Sequence, residues 1–252
     1  MSLLFRRGLM GGGGGSCPDF DYEDVLINTY GADEVWPLVD IASGTTITAA
    51  VASARNGTLS GWDLKNAAGP FPCTFAPYSN DNADYGDIYS ASLSGIFNGD
   101  VGSLFCWLKL STWTDGLTQY ILLLQVDANN YFYVRKSSTN NRITISRTGS
   151  GSALNVNVNS LSYTDWFSLG LSWDVNAGVD GEMKVFVQGA QSGSTSTGLG
   201  AFVGSLSSAL TLVGSANKAA LPLKGWIAYP AVNFGSAWTP TQFAEMHAAI
   251  NP

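Results

Sequence analysis

The stretch GSLFCWLKL, residues 102–110, alternates between two kinds of side chain with a period of two. From Leu104 onward its even positions are leucine or cysteine, whereas its odd positions are Phe105, Trp107 and Lys109. The same alternation returns in segments 167–173 and 183–187, with clusters of glycine, asparagine and serine between the segments. A change of side at every residue is typical of strands with one buried face. Many such strands in one chain predict an all-β antiparallel sandwich.

The composition limits the size of the fold and the class of partner. A chain of 252 residues, 45% of them hydrophobic, suits one sandwich with a real core. Charged residues make up only 12%, which is roughly half the usual share. The surface is therefore expected to carry neutral polar groups, which favours close association in a homo-oligomer. The net charge of −7 argues against nucleic acid as a partner. Membrane insertion is not expected, because no apolar run approaches the ~20 residues needed to span a bilayer.

The first thirty residues predict an anchoring arm, and residues 31–252 the sandwich domain. Residues 1–15 read MSLLFRRGLMGGGGG, in which glycines follow the arginines at once, so neither a secretory nor a twin-arginine signal is expected. Ordering five successive glycines costs much backbone entropy, and we therefore expect a neighbouring subunit to hold this arm. The acidic residues between Asp19 and Asp40 either dock on a positive surface or form a solvated linker. The predicted anchor residues are Leu3, Leu4, Phe5, Arg6 and Arg7.

The three cysteines cannot all pair within the chain. Cys106 lies among apolar strand residues and is expected to be a buried thiol. A bridge between Cys17 and Cys73 is left open, since their spacing does not support it. The count fits a reducing compartment better than a secreted disulfide framework.

Motifs along residues 31–252 resemble, in their order, the laminin-G-like, concanavalin A-like jelly-roll family. That resemblance implies a concanavalin A-like (laminin-G-like) antiparallel β-sandwich jelly roll with a short C-terminal helix, of a kind found in phage structural proteins. The motifs are SGTTIT (43–48), NGT (56–58), NADYGDI (82–88), GSLFCWLK (102–109), DWFSLGLSWD (165–174), MKVFVQG (183–189), LKGWI (223–227) and WTPTQF (238–243).

One position departs from that family. Many relatives carry an Asp-Glu pair where this chain has Ala228 and Tyr229, followed by Pro230. The calcium or ligand role that the resemblance attaches to the pair is therefore not expected here. Proline also suits an edge or the end of a strand better than a central strand.

The end of the chain predicts a helix on local grounds. Thr239 is a suitable N-cap, Pro240 suits the first helical position, and Gln242 completes a capping box. The face expected to pack on the sandwich carries Phe243, Met246, His247 and Ile250.

Catalysis is not expected. His247 is the only histidine, and a nucleophilic mechanism would require a nucleophile beside it. The sequence contains no Gly-x-Ser-x-Gly elbow and no phosphate-binding glycine motif. The glutamates show no spacing that would pair two carboxylates for glycoside hydrolysis.

No cofactor is expected, with calcium as the alternative. Asp174, Asn176 and Asp180 offer oxygen ligands in one short segment, which is the ligand type that calcium prefers. The other interpretation is a hairpin loop that is rich in turn-forming residues.

Two groups of side chains are candidates for ligand binding. Arg135, Lys136, Arg142 and Arg147 flank one predicted hairpin, and this basic cluster would receive an acidic neighbour or an anionic glycan unless it is simply solvated. Aromatic residues in predicted loops would stack on sugar rings or on a partner protein. The candidate ligand-binding residues are Trp62, Tyr78, Tyr85, Tyr89, Trp113, Arg135 and Arg142.

These observations predict a non-enzymatic structural protein of a viral particle. We expect a phage capsid decoration, head-fibre or tail adhesion protein, made in the host cytoplasm and held by other virion subunits through its arm. Trimers are a common arrangement for such appendages, and the sandwich would make weak contacts with host-surface glycans. The alternative is a carbohydrate-binding module of a cell-surface or secreted protein.

Overall fold

The computed structural model describes residues 21–41, 44–139 and 141–249, which form two antiparallel β-sheets packed face to face. Their strands are β1 (Glu34–Val35), β2 (Thr46–Ile47), β3 (Gly57–Ser60), β4 (Asp63–Ala68), β5 (Phe75–Ser79), β6 (Tyr85–Asp87), β7 (Val101–Leu110), β8 (Gln119–Asp127), β9 (Asn130–Lys136), β10 (Ile143–Gly149), β11 (Ser152–Val158), β12 (Phe167–Asp174), β13 (Glu182–Val187), β14 (Ala190–Gln191), β15 (Ser196–Thr197), β16 (Thr211–Val213) and β17 (Gly225–Asn233).

The first sheet has the strand order β14-β13-β12-β7-β17-β5-β4, with β1 paired to β17 and β15 paired to β13. The second sheet has the order β11-β10-β9-β8-β16-β6-β3-β2. The helical segments are α1 (Tyr22–Asp24), a π-helical turn at Val25–Thr29, a 3-10 turn at Ser53–Arg55, α2 (Ala91–Ile96) and α3 (Pro240–Ala248). The predicted all-β antiparallel sandwich with a short C-terminal helix is therefore confirmed. No helix in the described part of the chain is long and apolar enough to cross a membrane.

The alternation of β7 divides two hydrophobic cores. Leu104, Cys106 and Leu108 point between the sheets, whereas Phe105 and Trp107 belong to a second core on the outer face of the first sheet. Cys106 is buried and free, as predicted, and burial raises the pKa of its thiol to about 12. Cys73 is disulfide-bonded, and the other half of that bridge lies outside the described residues.

Helical segments cover the outer face of the first sheet. Tyr22 and Leu26 are buried there against β7 and β17. The Tyr22 hydroxyl donates a hydrogen bond to the Met246 carbonyl in α3 at 2.7 Å, and Trp238 Nε1 donates to the Tyr30 carbonyl at 2.7 Å. Residues 21–30, which the sequence assigned to the arm, thus pack on the sandwich.

Helix α3 begins as the sequence predicted. Thr239 and Gln242 form a reciprocal capping box, and Pro240 occupies the first turn. Phe243 and Met246 are fully buried against the first sheet, where Gly170 leaves room for the Phe243 ring. An added Cβ at Gly170 would lie 2.4 Å from that ring, so the close approach requires glycine.

Pro230 lies inside a central strand, contrary to the expectation for proline. Strand β17 runs between β7 and β5, and its register to β7 shifts between Ala228 and Ala231. Tyr229 has a φ of +51° at this bulge. The bulge accommodates the missing N–H of proline, because it interrupts the ladder at that point.

Candidate ligand-binding face

The outer face of the second sheet is formed by side chains that point away from the inter-sheet core. Phe132 and Val134 of β9 are core residues. The residues that alternate with them, Tyr131, Tyr133 and Arg135, therefore point outward. Strand pairing extends this face to the neighbouring strands β8, β10 and β11. We call it the tyrosine face and define it by Tyr120, Tyr131, Tyr133, Arg135, Thr144, Ser146, Thr148, Asn155 and Asn157.

The aromatic rings on this face form one connected group. The rings of Tyr131 and Tyr133 stack at 5.8 Å between centroids with an interplanar angle of 11°. Tyr120 lies 5.5 Å from Tyr133, and the Arg135 guanidinium is 4.6 Å from the Tyr133 centroid and 5.9 Å from that of Tyr120. Such cation–π contacts hold the guanidinium over the rings. The centre of the face is therefore an aromatic surface with one fixed positive charge.

Polar side chains flank the rings on β10 and β11. Tyr133 donates to Asn155 Oδ1 at 3.3 Å, and Thr144 donates to Asn157 Oδ1 at 2.8 Å. Ser146 and Thr148 are 1% and 3% exposed, yet their hydroxyls have no hydrogen-bond partner in the described chain. Buried polar atoms usually have partners. These two hydroxyls lie below the surface of the face, whereas Asn155 and Asn157 are exposed on it.

The predicted basic cluster is divided between two faces. Lys136 is fully buried and pairs with Asp115, and its ammonium also donates to the Leu117 carbonyl at 3.0 Å. Arg147 is 1% exposed and donates to the carbonyls of Gly99 and Gly200. The interpretation of these two side chains as part of a solvent-facing basic cluster was wrong, because strand alternation turns them inward.

Two of the four basic residues remain accessible. Arg135 lies on the tyrosine face, as described above. Arg142 lies beside it at the start of β10, where its Nε donates to Asn159 Oδ1 at 2.7 Å. Sequence analysis named both as ligand-binding residues, and the structure places them near the same end of the second sheet.

Two of the predicted loop aromatics are core residues. Trp62 and Trp113 are 6% and 7% exposed and belong to the inter-sheet core. Their assignment as exposed stacking residues is therefore corrected. The indole of Trp113 donates to the Tyr163 carbonyl at 2.7 Å, which fixes its ring in place.

The other three predicted aromatics lie apart from the tyrosine cluster. Tyr85 is on the same sheet but on β6, where Lys218 Nζ lies 5.6 Å from its ring. Tyr89 packs partly against the inter-sheet core. Tyr78 is on the first sheet, and its ring packs against Trp226 at 4.5 Å between centroids with an interplanar angle of 34°. The structure therefore brings only the arginines of the predicted set close to the tyrosine face.

Tyr120, Tyr131 and Tyr133 were not selected from the sequence. The signal was present, because Tyr131, Tyr133 and Arg135 alternate along the chain with the apolar residues Phe132 and Val134. Alternation assigns those residues to the outer side of a strand. These residues were missed because stacking residues were predicted only in loops.

The predicted calcium segment forms a turn. Asp174 Oδ1 accepts a hydrogen bond from the Asn176 N–H at 2.8 Å, and the Asp180 carbonyl accepts from Gly198 and Leu199. In the described residues, no three side chains of the His, Cys, Asp or Glu type approach closely enough to hold a metal ion. Calcium binding at Asp174, Asn176 and Asp180 stays a prediction. The predicted anchor, Leu3 to Arg7, lies outside the described residues.

The structure places a serine hydroxyl next to His247. Ser168 Oγ lies 3.1 Å from His247 Nδ1, and the imidazole also lies 5.5 Å from the Trp107 ring. Ser168 is 1% exposed beneath α3. Substrate access to that hydroxyl would require α3 to leave the sheet, so the pair fastens the helix to β12.

Acidification should weaken this attachment. Burial lowers the pKa of His247 below its ordinary value. The stabilisation from the neutral imidazole is thus present above the ordinary pKa and is lost as the pH falls through the lowered folded-state value. We expect the melting temperature of the wild type to fall more steeply than that of His247→Gln between about pH 7 and pH 5. Thermal unfolding followed by circular dichroism measures both, and parallel curves would contradict the assignment.

Comparison with known proteins supports the fold. No family profile and no curated protein matches the sequence. Among solved structures, domain 4 of AbnA, a GH43 extracellular arabinanase from Geobacillus stearothermophilus in complex with arabinotriose, is similar with a TM-score of 0.58 and 15% identity, over 86% of this chain and 98% of that one.

Botulinum neurotoxin structures are similar as well. A type C structure described by its interaction with two ganglioside molecules has a TM-score of 0.62 and 14% identity, covering 90% of this chain and 53% of that one. The binding domain of neurotoxin DC in complex with rat synaptotagmin II has a TM-score of 0.60 and 14% identity, covering 87% and 52%. This chain spans about half the length of those toxin chains. At such identities the likeness shows a shared jelly-roll fold.

Proposed function

We propose that this protein is a non-enzymatic recognition domain that binds glycans through the tyrosine face. The observation that carries the proposal is the connected group of Tyr120, Tyr131, Tyr133 and Arg135, flanked by two exposed asparagines on β11. Similar folds in complex with arabinotriose and in a ganglioside-dependent toxin support the ligand class.

The chemistry of the face matches that of a sugar. A sugar ring presents C–H groups on its flat sides and hydroxyls around its rim. Tyrosine rings offer large, rigid apolar contact and a hydroxyl at their tip. Asn155 and Asn157 are exposed beside the rings, and their side-chain amides supply hydrogen-bond donors for the sugar hydroxyls. Such a shallow surface is expected to bind each sugar unit weakly.

We further propose that the domain belongs to a viral particle, most simply a phage capsid decoration, head-fibre or tail adhesion protein. Tyr22 and Leu26, near the N-terminal end of the described residues, are buried on the outer face of the first sheet. The tyrosine face is on the opposite side of the sandwich. An anchor preceding residue 21 would thus hold the domain with its ligand-binding face outward. Immunogold labelling of particles tests this setting, and exclusive labelling of a cell surface would favour the alternative module.

A glycan array tests the proposed activity. We expect the fluorescently labelled protein to bind a group of glycans that share a structural element. EDTA should leave the apparent affinities unchanged, because the described residues contain no cluster of side chains that could hold a metal ion. Binding that disappears in EDTA and returns with calcium would contradict this arrangement. An array without any bound glycan, at protein concentrations high enough for millimolar affinities, would refute glycan recognition by the tyrosine face.

A further inference from the structure

A second surface feature lies at one end of the sandwich. Segments 110–114 and 162–164, together with Asn141, enclose a cleft of ≈ 340 Å³. This volume is within the range of about 300–1,000 Å³ that is usual for small-molecule sites. The cleft is distinct from the tyrosine face, since none of the residues that define that face lines it.

Hydrogen bonds fix the walls of the cleft relative to one another. The Asn141 N–H donates to the Trp113 carbonyl at 3.3 Å, and the Leu161 N–H donates to the Asn141 carbonyl at 3.0 Å. The Trp113 indole donates to the Tyr163 carbonyl at 2.7 Å. Three loops from different parts of the chain are thereby tied together, and a site built this way is preorganised for its ligand.

The lining is neutral and rich in hydroxyl groups. No Asp, Glu, Lys or Arg contributes to it. The side chains of Thr114, Ser162, Thr164 and Asn141 make no hydrogen bond to any described residue, so their donors and acceptors are available. A charged ligand would find no counter-ion here, whereas a neutral polyhydroxylated ligand would find several partners.

An aromatic wall completes the cleft. The Tyr163 ring stacks on Phe167 at 4.9 Å between centroids with an interplanar angle of 24°. Phe167 also contacts Trp113, with 5.7 Å between ring centroids. Phe167 is fully buried, so it holds the half-buried Tyr163 in a fixed orientation. A rigid aromatic side chain next to free hydroxyls suits the apolar side of a sugar ring.

We infer that the cleft binds a single neutral sugar unit, and that it extends the tyrosine face as a second contact for the same glycan. This inference rests on the proposed function. The geometry supports it because Arg142, which follows Asn141, bonds Asn159 at the end of β11 beside Asn157. The cleft and the tyrosine face therefore meet at the same end of the second sheet. Two weak contacts on one glycan would raise the overall affinity without a new strong site.

Protein-observed NMR tests the cleft separately from the face. Methyl glycosides of neutral hexoses and pentoses, titrated singly into the ¹⁵N-labelled full chain, are expected to shift amide signals of residues 111–114, 141 and 162–164. Asn141→Gly should weaken that binding by about five- to tenfold, because it removes an amide that bonds the ligand. Glycine accepts the φ of +60° at this position, so the variant keeps the backbone. Ser162→Ala provides a second, independent variant with the same expected direction.

The outcomes separate the two sites. Glycoside-induced shifts in the cleft loops that weaken in both variants support the inference. Shifts confined to β8–β10, or no glycoside binding at all while array glycans still bind the tyrosine face, overturn the cleft and leave the proposed function intact. Cleft shifts that are unchanged in both variants also overturn it. A silent array together with cleft binding refutes the tyrosine face and, with it, the shared-glycan part of the inference, while the cleft stands as a separate sugar site.

Discussion

Replacing Arg147 with alanine is expected to lower the free energy of unfolding by about 3 kcal/mol or more. The side chain is 1% exposed, donates to Gly99 at 2.9 Å and to Gly200 at 2.7 Å, and lies against the rings of Phe132 and Phe202. The variant leaves both carbonyls without a donor and opens a cavity beneath β10. A loss of this size corresponds to a melting temperature roughly 6–12 °C lower in a chain of this length.

Arg135→Ala is the matched control, because the two arginines lie on the same hairpin but on opposite faces. The Arg135 guanidinium lies over two tyrosine rings and forms no hydrogen bond or ion pair with a described residue, so its removal should cost about 0.5–1 kcal/mol of stability. Urea unfolding of both variants measures the difference. Equal destabilisation by the two substitutions would contradict the assignment of Arg147 to the core and Arg135 to the ligand-binding face.

Tyr133→Ala is expected to weaken binding of the strongest array glycan about tenfold or more, with little loss of stability. Tyr133 is the centre of the face, since Tyr120, Tyr131 and Arg135 all contact its ring. Its removal takes away the stacking surface and releases the guanidinium from its fixed position. Isothermal titration calorimetry gives the affinity of the wild type and of the variant.

Tyr78→Ala serves as the control for this experiment. Tyr78 is also half-buried and also packs against an aromatic neighbour, but it lies on the first sheet. We expect the glycan affinity of Tyr78→Ala to remain within about twofold of the wild type. A substitution that is distant from the binding surface and shares no partner with it acts independently of binding. A loss of affinity in Tyr78→Ala, with Tyr133→Ala unaffected, would move the binding surface to the first sheet.

Local patterns in the sequence were enough to predict the sandwich. The alternation in segment 102–110 fixed which residues of β7 face each core, and the Thr239–Gln242 motif predicted the start of α3. Both signals depend on neighbours a few residues apart. The burial of Tyr22 and Leu26 could not be predicted in this way, because it depends on packing against β7 and β17, which are far away in the sequence.

The candidate site was only partly predictable for a related reason. Burial of Trp62 and Trp113 depends on which side of each loop faces the inter-sheet core, and composition does not determine that. The pairing of β9 with β8 and β10 brings Tyr120, Tyr133 and Ser146 onto one face. Side-chain alternation along a single strand shows that Tyr133 and Arg135 lie on the same side of the sheet. Only the register between strands shows which residues of the neighbouring strands lie beside them.

A crystal structure of the protein with the strongest array glycan tests the central claim most directly. The account predicts that a sugar ring lies against Tyr131 and Tyr133, with its hydroxyls bonded by Arg135 and by the asparagine side chains of β11. Ligand density on another surface, with the rings of Tyr120, Tyr131 and Tyr133 bare, would contradict it.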